Sequence, residues 1–126
     1  GNYYMYTITL ETGFFASHGL TYAGGETEPV HPHQWVVRAA IESEKLDENG
    51  IAVDFVVVKE NLDEITKELE GKQLENLEYF SKINASAENV AKFVFESLET
   101  QIPEPAKLVS IEVMEAPGCW AKYTNK

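Results

Sequence analysis

Residues 30–45 read VHPHQWVVRAAIESEK, and this stretch decides the fold. From Gln34 onward it has the two-residue period of a half-buried strand. Trp35, Val37, Ala39 and Ile41 share one phase, while Arg38 and Glu42 lie on the other. At its start stand two histidines, His31 and His33, at i and i+2. In extended backbone those side chains point to the same side, so both imidazoles reach one ion. Pro32 between them restrains the chain and brings no competing donor.

Upstream, residues 3–10 (YYMYTITL) are aromatic and β-branched and predict a strand. Residues 19–33 hold three glycines and two prolines and read as the likeliest site loop. Downstream, Asp47 to Gly50 read as a turn. It suggests a hairpin into a third strand at 51–58, IAVDFVVV. From about Val56 the period becomes helical, through Leu62, Ile65 and Leu69, and Gly71 is placed to end that helix. Residues 72–85 read as loop. A second helix runs from about Ser86, a capping residue, to Thr100, with Val90, Ala91, Val94 and Leu98 on one stripe. Residues 108–115 and 119–124 read as strands around a Pro117-Gly118 turn. In the first of them Val109, Ile111, Val113 and Glu115 share one phase. The expectation is one α+β domain over residues 1–126. It has a mostly antiparallel sheet of four or five strands and two helices packed on one face.

Charge and composition exclude several classes. The 126 residues carry 21 acidic and 10 basic side chains, a formal charge of −11, and Arg38 is the sole arginine. Such a surface repels phosphate backbones, so nucleic acid is not an expected partner. No apolar run reaches a membrane span, and nothing reads as a signal peptide. One cysteine, Cys119, rules out a disulfide within the chain and fits a reducing compartment, so a cytoplasmic protein is expected. All three histidines, His18, His31 and His33, fall within sixteen residues. Three imidazoles with an open fourth position describe a catalytic zinc site.

These segments also carry a resemblance. FFASHGL at 14–20 and VHPHQW at 30–35 are similar to the zinc-ligand signatures of the 6-pyruvoyl-tetrahydropterin synthase and 6-carboxytetrahydropterin synthase group. So are GIAVDFVVVKE at 50–60, ASAENVAKFVFESL at 85–98 and VMEAPGCWAKY at 113–123, in order. The resemblance implies a T-fold, a Zn2+ ion on His18, His31 and His33, and a pterin ligand anchored by Glu115, with Ser86 also at the substrate. It further implies a homo-oligomer, trimer or hexamer, with sites between subunits. Tyr3, Tyr4, Tyr6 and Trp35 are candidates for core or interface.

The sequence also departs from that group. Thr27 stands where the catalytic cysteine belongs. Glu70 and Gly71 stand where an Asp-His pair belongs, and Glu70 also reads simply as a solvated helix end. Cys119 matches no catalytic position and is expected to pack. EPVH at 28–31 matches a Glu-x-x-His variant, making Glu28 the candidate base. Members of that variant resemble enzymes that cleave the side chain of dihydroneopterin triphosphate and leave 6-hydroxymethyl-dihydropterin. A 6-pyruvoyl- or 6-carboxy-tetrahydropterin synthase is a second enzymatic reading. The alternative from another class is a zinc- and pterin-binding paralogue without turnover.

Overall fold

The computed structural model describes residues 5–125. Two long strands open the chain, β1 (Tyr6–His18) and β2 (His31–Ser43). Helices α1 (Phe55–Lys67) and α2 (Ala87–Glu99) follow, separated by two single 3-10 turns, Leu74–Asn76 and Glu78–Phe80. β3 (Lys107–Ala116) and β4 (Cys119–Thr124) close it. The sheet has four strands in the order β1-β2-β3-β4, every neighbouring pair antiparallel. Tyr3 and Tyr4 lie outside the described residues, and Tyr6 is exposed.

The expected third strand at 51–58 does not form. The Asp54 carboxylate accepts the Val56 N–H at 2.9 Å and caps α1, which starts at Phe55. The apolar run FVVV is thus the first turn of a helix, with only Val58 buried. Its β propensity yields to the cap in front of it and to the helical stripe of Leu62 and Ile65 behind it. The turn at Asp47–Gly50 is present, held by the Asp47 carboxylate on the Asn49 and Ile51 amides. It leads into a helix rather than into a hairpin partner.

α1 ends at Lys67 and continues as tight turns to Gly71, whose φ of 73° only glycine adopts readily. The chain then meets the edge of β1. Gly71 N–H donates to Phe15 O at 2.7 Å, and Ser17 N–H donates to Lys72 O at 2.9 Å. Residues 70–73 therefore close the last third of an otherwise open sheet edge.

The core lies between one sheet face and the two helices. Phe14, Trp35, Val37, Ile111 and Val113 on the sheet meet Leu62, Val94 and Leu98 on the helices. A bulge pairs Ala40 with Ser110 but Ile41 with Leu108, so Val109 is the extra residue. Leu108 takes the core-facing place expected for Val109, while Ile111 and Val113 keep theirs. On the uncovered face Arg38 pairs with Glu11 at 2.6 Å and lies over the Trp120 ring at 4.4 Å. Cys119, expected to pack, is exposed where β4 begins.

Candidate metal centre and its surroundings

Strand register assembles the histidines. His18 is the direct cross-strand partner of His31, and His33 faces Ala16 two residues along. All three occupy the core-facing phase, at the end of the face that Phe14 and Trp35 line. Their ligand atoms lie within 4.8 Å of one another. Trp35 forms the floor, edge-on to His18 at 4.9 Å and to His33 at 5.6 Å, with its indole N–H on Ala16 O. It is a core residue, fully buried.

Carbonyl groups set the imidazole tautomers. His18 Nδ1 lies 2.7 Å from Ala85 O, and His31 Nδ1 lies 2.8 Å from Pro29 O. A carbonyl only accepts, so both Nδ1 atoms carry hydrogen, and in the neutral rings both Nε2 atoms present a lone pair. This is the outer-shell arrangement of metal-bound histidines. Burial pushes the His33 imidazole below its usual range, against the opposing pull of Glu115, and favours the neutral form a ligand needs. His18 Nε2 and His33 Nε2 are buried without a hydrogen-bond partner. Orphaned buried nitrogens are costly, and a shared cation is what would satisfy them.

Glu115 stands at the same point. It is the extra residue of a second bulge, since Met114 pairs with Trp120 and Ala116 with Cys119. Two residues beyond buried Val113, its carboxylate points to the same side and reaches the histidines. Oε1 lies 2.9 Å from His18 Nε2, off the hydrogen-bonding line, and 4.0 Å from His33 Nε2. A carboxylate oxygen this close to Nε2 is satisfied by a proton on the ring or by a cation held between the two.

Glu28 approaches from the 19–30 loop. Its Oε1 lies 3.9 Å from His31 Nε2 and accepts the Leu20 N–H at 3.0 Å. Tyr22 donates its hydroxyl to Oε2 at 3.4 Å. The Leu20 N–H, helped by the imidazoles, holds the Glu28 carboxyl below the usual range, and the adjacent carboxylate raises the Tyr22 phenol. Gly19 makes this fold of the loop possible, because a Cβ there would sit 2.8 Å from Glu28 O.

The other expected residues take structural places. Glu70 accepts the Phe15 N–H on the β1 edge and is not part of the three-histidine group. Ser86 caps α2 by accepting the Asn89 N–H at 3.2 Å, directly after the residue whose carbonyl orients His18. The sequence reading missed the Ala85 and Pro29 carbonyls. It also missed Glu75, whose Oε2 accepts the Gly19 N–H at 3.1 Å while its Oε1 is buried without a partner. No local signal marks that contact, which spans 56 residues.

Comparison with known proteins adds an independent line. The sequence model of the 6-pyruvoyl tetrahydropterin synthase family matches residues 7–126. A 6-carboxy-5,6,7,8-tetrahydropterin synthase of Synechocystis sp. is 29% identical, covering 94% of this chain and 93% of that protein. A dihydroneopterin monophosphate aldolase of Pyrococcus furiosus is 26% identical, covering 86% and 88%. Among solved structures, the 6-pyruvoyl tetrahydropterin synthase of Caenorhabditis elegans superposes with a TM-score of 0.85 at 20% identity, over 97% of this chain and 96% of that one. That likeness shows the fold.

Proposed function

The chain belongs to the 6-pyruvoyl tetrahydropterin synthase family, and from that premise we propose that it is a zinc-dependent lyase cleaving the side chain of a dihydroneopterin phosphate. The product is 6-hydroxymethyl-dihydropterin, an intermediate of folate or pterin biosynthesis. One observation carries the reading. Two imidazoles are locked with Nε2 inward, and two buried Nε2 atoms, on His18 and His33, lack partners. That donor set fits zinc held by His18, His31 and His33. The bound ion supplies Lewis acidity toward a side-chain oxygen.

The chain's own groups account for the rest. Glu115 receives the ring N–H and amino group of the pterin as two parallel hydrogen bonds. Glu28 takes the proton of the hydroxyl on the second side-chain carbon. The bond between the first and second carbons then breaks. Its electron pair enters the conjugated ring, a proton returns to the first carbon, and the outer fragment leaves as an aldehyde. Ser86 keeps α2 and the Ala85 carbonyl in position behind His18. The protein works as a cytoplasmic homo-oligomer, trimer or hexamer, in which the free edges of β1 and β4 from neighbouring copies pair. Sedimentation of a monomer at micromolar concentration would rule that assembly out.

A second reading, zinc and pterin binding without turnover, draws on one observation. Glu28 is already committed to Leu20 N–H and its carboxyl is lowered, which weakens it as a base. Product chromatography separates the two. Zinc-loaded protein given dihydroneopterin phosphates is expected to release 6-hydroxymethyl-dihydropterin, and Glu28→Gln to lose about a hundredfold or more in kcat. Full zinc occupancy with pterin bound and no product would leave the binding reading.

A further inference from the structure

The loop between β1 and β2 that carries Glu28 is folded on itself. Glu28 N–H donates to Leu20 O at 2.9 Å, Tyr22 N–H donates to Glu26 O at 2.7 Å, and Thr21 faces Thr27 between them. This is a short antiparallel hairpin in which Thr21 and Thr27 form the non-hydrogen-bonded pair. The N–H and C=O of Thr21 therefore point outward, as on the edge of a sheet.

Asn84 occupies that edge. Its Oδ1 accepts the Thr21 N–H at 2.9 Å, and its Nδ2 donates to Thr21 O at 3.0 Å. One backbone group only donates and the other only accepts, so the side chain between them must do both, as an amide does and a carboxylate does not. Among the described residues, no other residue outside the hairpin hydrogen-bonds to residues 20–28.

The backbone of Asn84 is fixed from the other side. Its carbonyl accepts the Asn89 side-chain amide at 2.9 Å, in the first turn of α2, where the Ser86 cap takes the Asn89 N–H. The next residue, Ala85, holds His18 Nδ1 through its own carbonyl at 2.7 Å. One segment thus orients a histidine through its backbone and docks the Glu28 hairpin through one side chain.

We infer that Asn84 is a positioning residue whose amide docks the hairpin so that the Glu28 carboxylate stands 3.9 Å from His31 Nε2. This rests on the lyase reading, in which Glu28 is the base, and adds a second residue on which that role depends.

The test is steady-state kinetics and chelator competition on zinc-loaded Asn84→Ala, Glu28→Gln and the double variant. Asn84→Ala is expected to lower kcat by about tenfold or more, because a base displaced by about 1 Å loses its reach. KM for a dihydroneopterin phosphate and zinc affinity should each stay within about threefold, since the imidazoles and the carbonyls behind them are untouched. In the Glu28→Gln background the same substitution should cost less than about twofold, because residues acting as a unit are not additive. Asn84→Asp keeps an acceptor for the Thr21 N–H but turns an oxygen on the Thr21 carbonyl, and should lose as much as Asn84→Ala. An unchanged kcat, an undiminished loss in the Glu28→Gln background, or a zinc affinity that falls as far as kcat overturns this inference alone. A parent protein that does not turn the substrate over overturns the lyase reading and this inference with it.

Discussion

The helix-covered face of the sheet has two regions that differ only in side-chain chemistry. In its middle, Val37 faces Val113 and Ala39 faces Ile111, all fully buried and apolar. At its end the same alternation continues on the same strands, but the inward positions become His18, His31, His33 and Glu115. The middle satisfies itself by burial. The end does not, because buried Nε2 atoms are left without partners and a carboxylate is aimed at one of them. Its polar groups are instead oriented from outside, by the Ala85 and Pro29 carbonyls, by Glu75 on Gly19, and by the 70–73 segment on the β1 edge. Rigid support around an unsatisfied cluster is the mark of a site rather than of a core.

Substitutions at the two regions should therefore separate stability from binding. The largest effect belongs to the end. His33→Ala should weaken zinc by more than the roughly hundredfold that loss of an outer-shell partner costs, with the metal-free melting temperature nearly unchanged. Competition with a chromophoric chelator reads the first, and thermal unfolding the second. A large loss of metal-free stability would make His33 a core residue and erase the contrast. In the middle, Ile111→Ala should cost about 2–5 kcal/mol in denaturant unfolding, with zinc stoichiometry preserved.

Smaller effects probe the support. Ser86→Ala removes the α2 cap and should cost about 1 kcal/mol, together with a modest loss of zinc affinity through Ala85. A stability loss with unchanged zinc binding would uncouple the helix start from His18. The smallest effect is expected away from both regions, where Asp63 accepts Thr12 at 2.7 Å and Lys59 at 2.8 Å. Burial pushes the Asp63 carboxyl up, but the hydrogen bonds from Lys59 and Thr12 outweigh it and hold it below its ordinary value. A lowered folded pKa stabilises above the unfolded pKa, and that contribution is lost as pH falls through the folded one. Asp63→Asn should then cost under about 1 kcal/mol at neutral pH, since both partners are nearly half exposed, and nothing in strong acid. An equal cost at both pH values would mean the pair acts through packing alone.

Much of this contrast is legible in the residues. The i, i+2 histidines on a strand, the helix stripes, the Ser86 cap and the Gly71 reversal depend on local spacing, which the sequence displays. The strand expected at 51–58 failed because Asp54 caps a helix whose first turn happens to be β-branched. The Val109 bulge depends on pairing with β2, which no single strand encodes, whereas the inward place of Glu115 follows the two-residue phase it shares with Ile111 and Val113. Glu70 and Glu75 meet partners 55 and 56 residues away. Their roles are long-range, and the local sequence around them shows only acids in a polar stretch.

The most direct test removes and restores the metal. The protein is stripped with chelator, titrated with zinc, and assayed for 6-hydroxymethyl-dihydropterin release from a dihydroneopterin phosphate. The account predicts no product from the stripped protein and recovery that saturates at one zinc ion per chain. Product formation that persists after stripping, with no zinc bound, would contradict it.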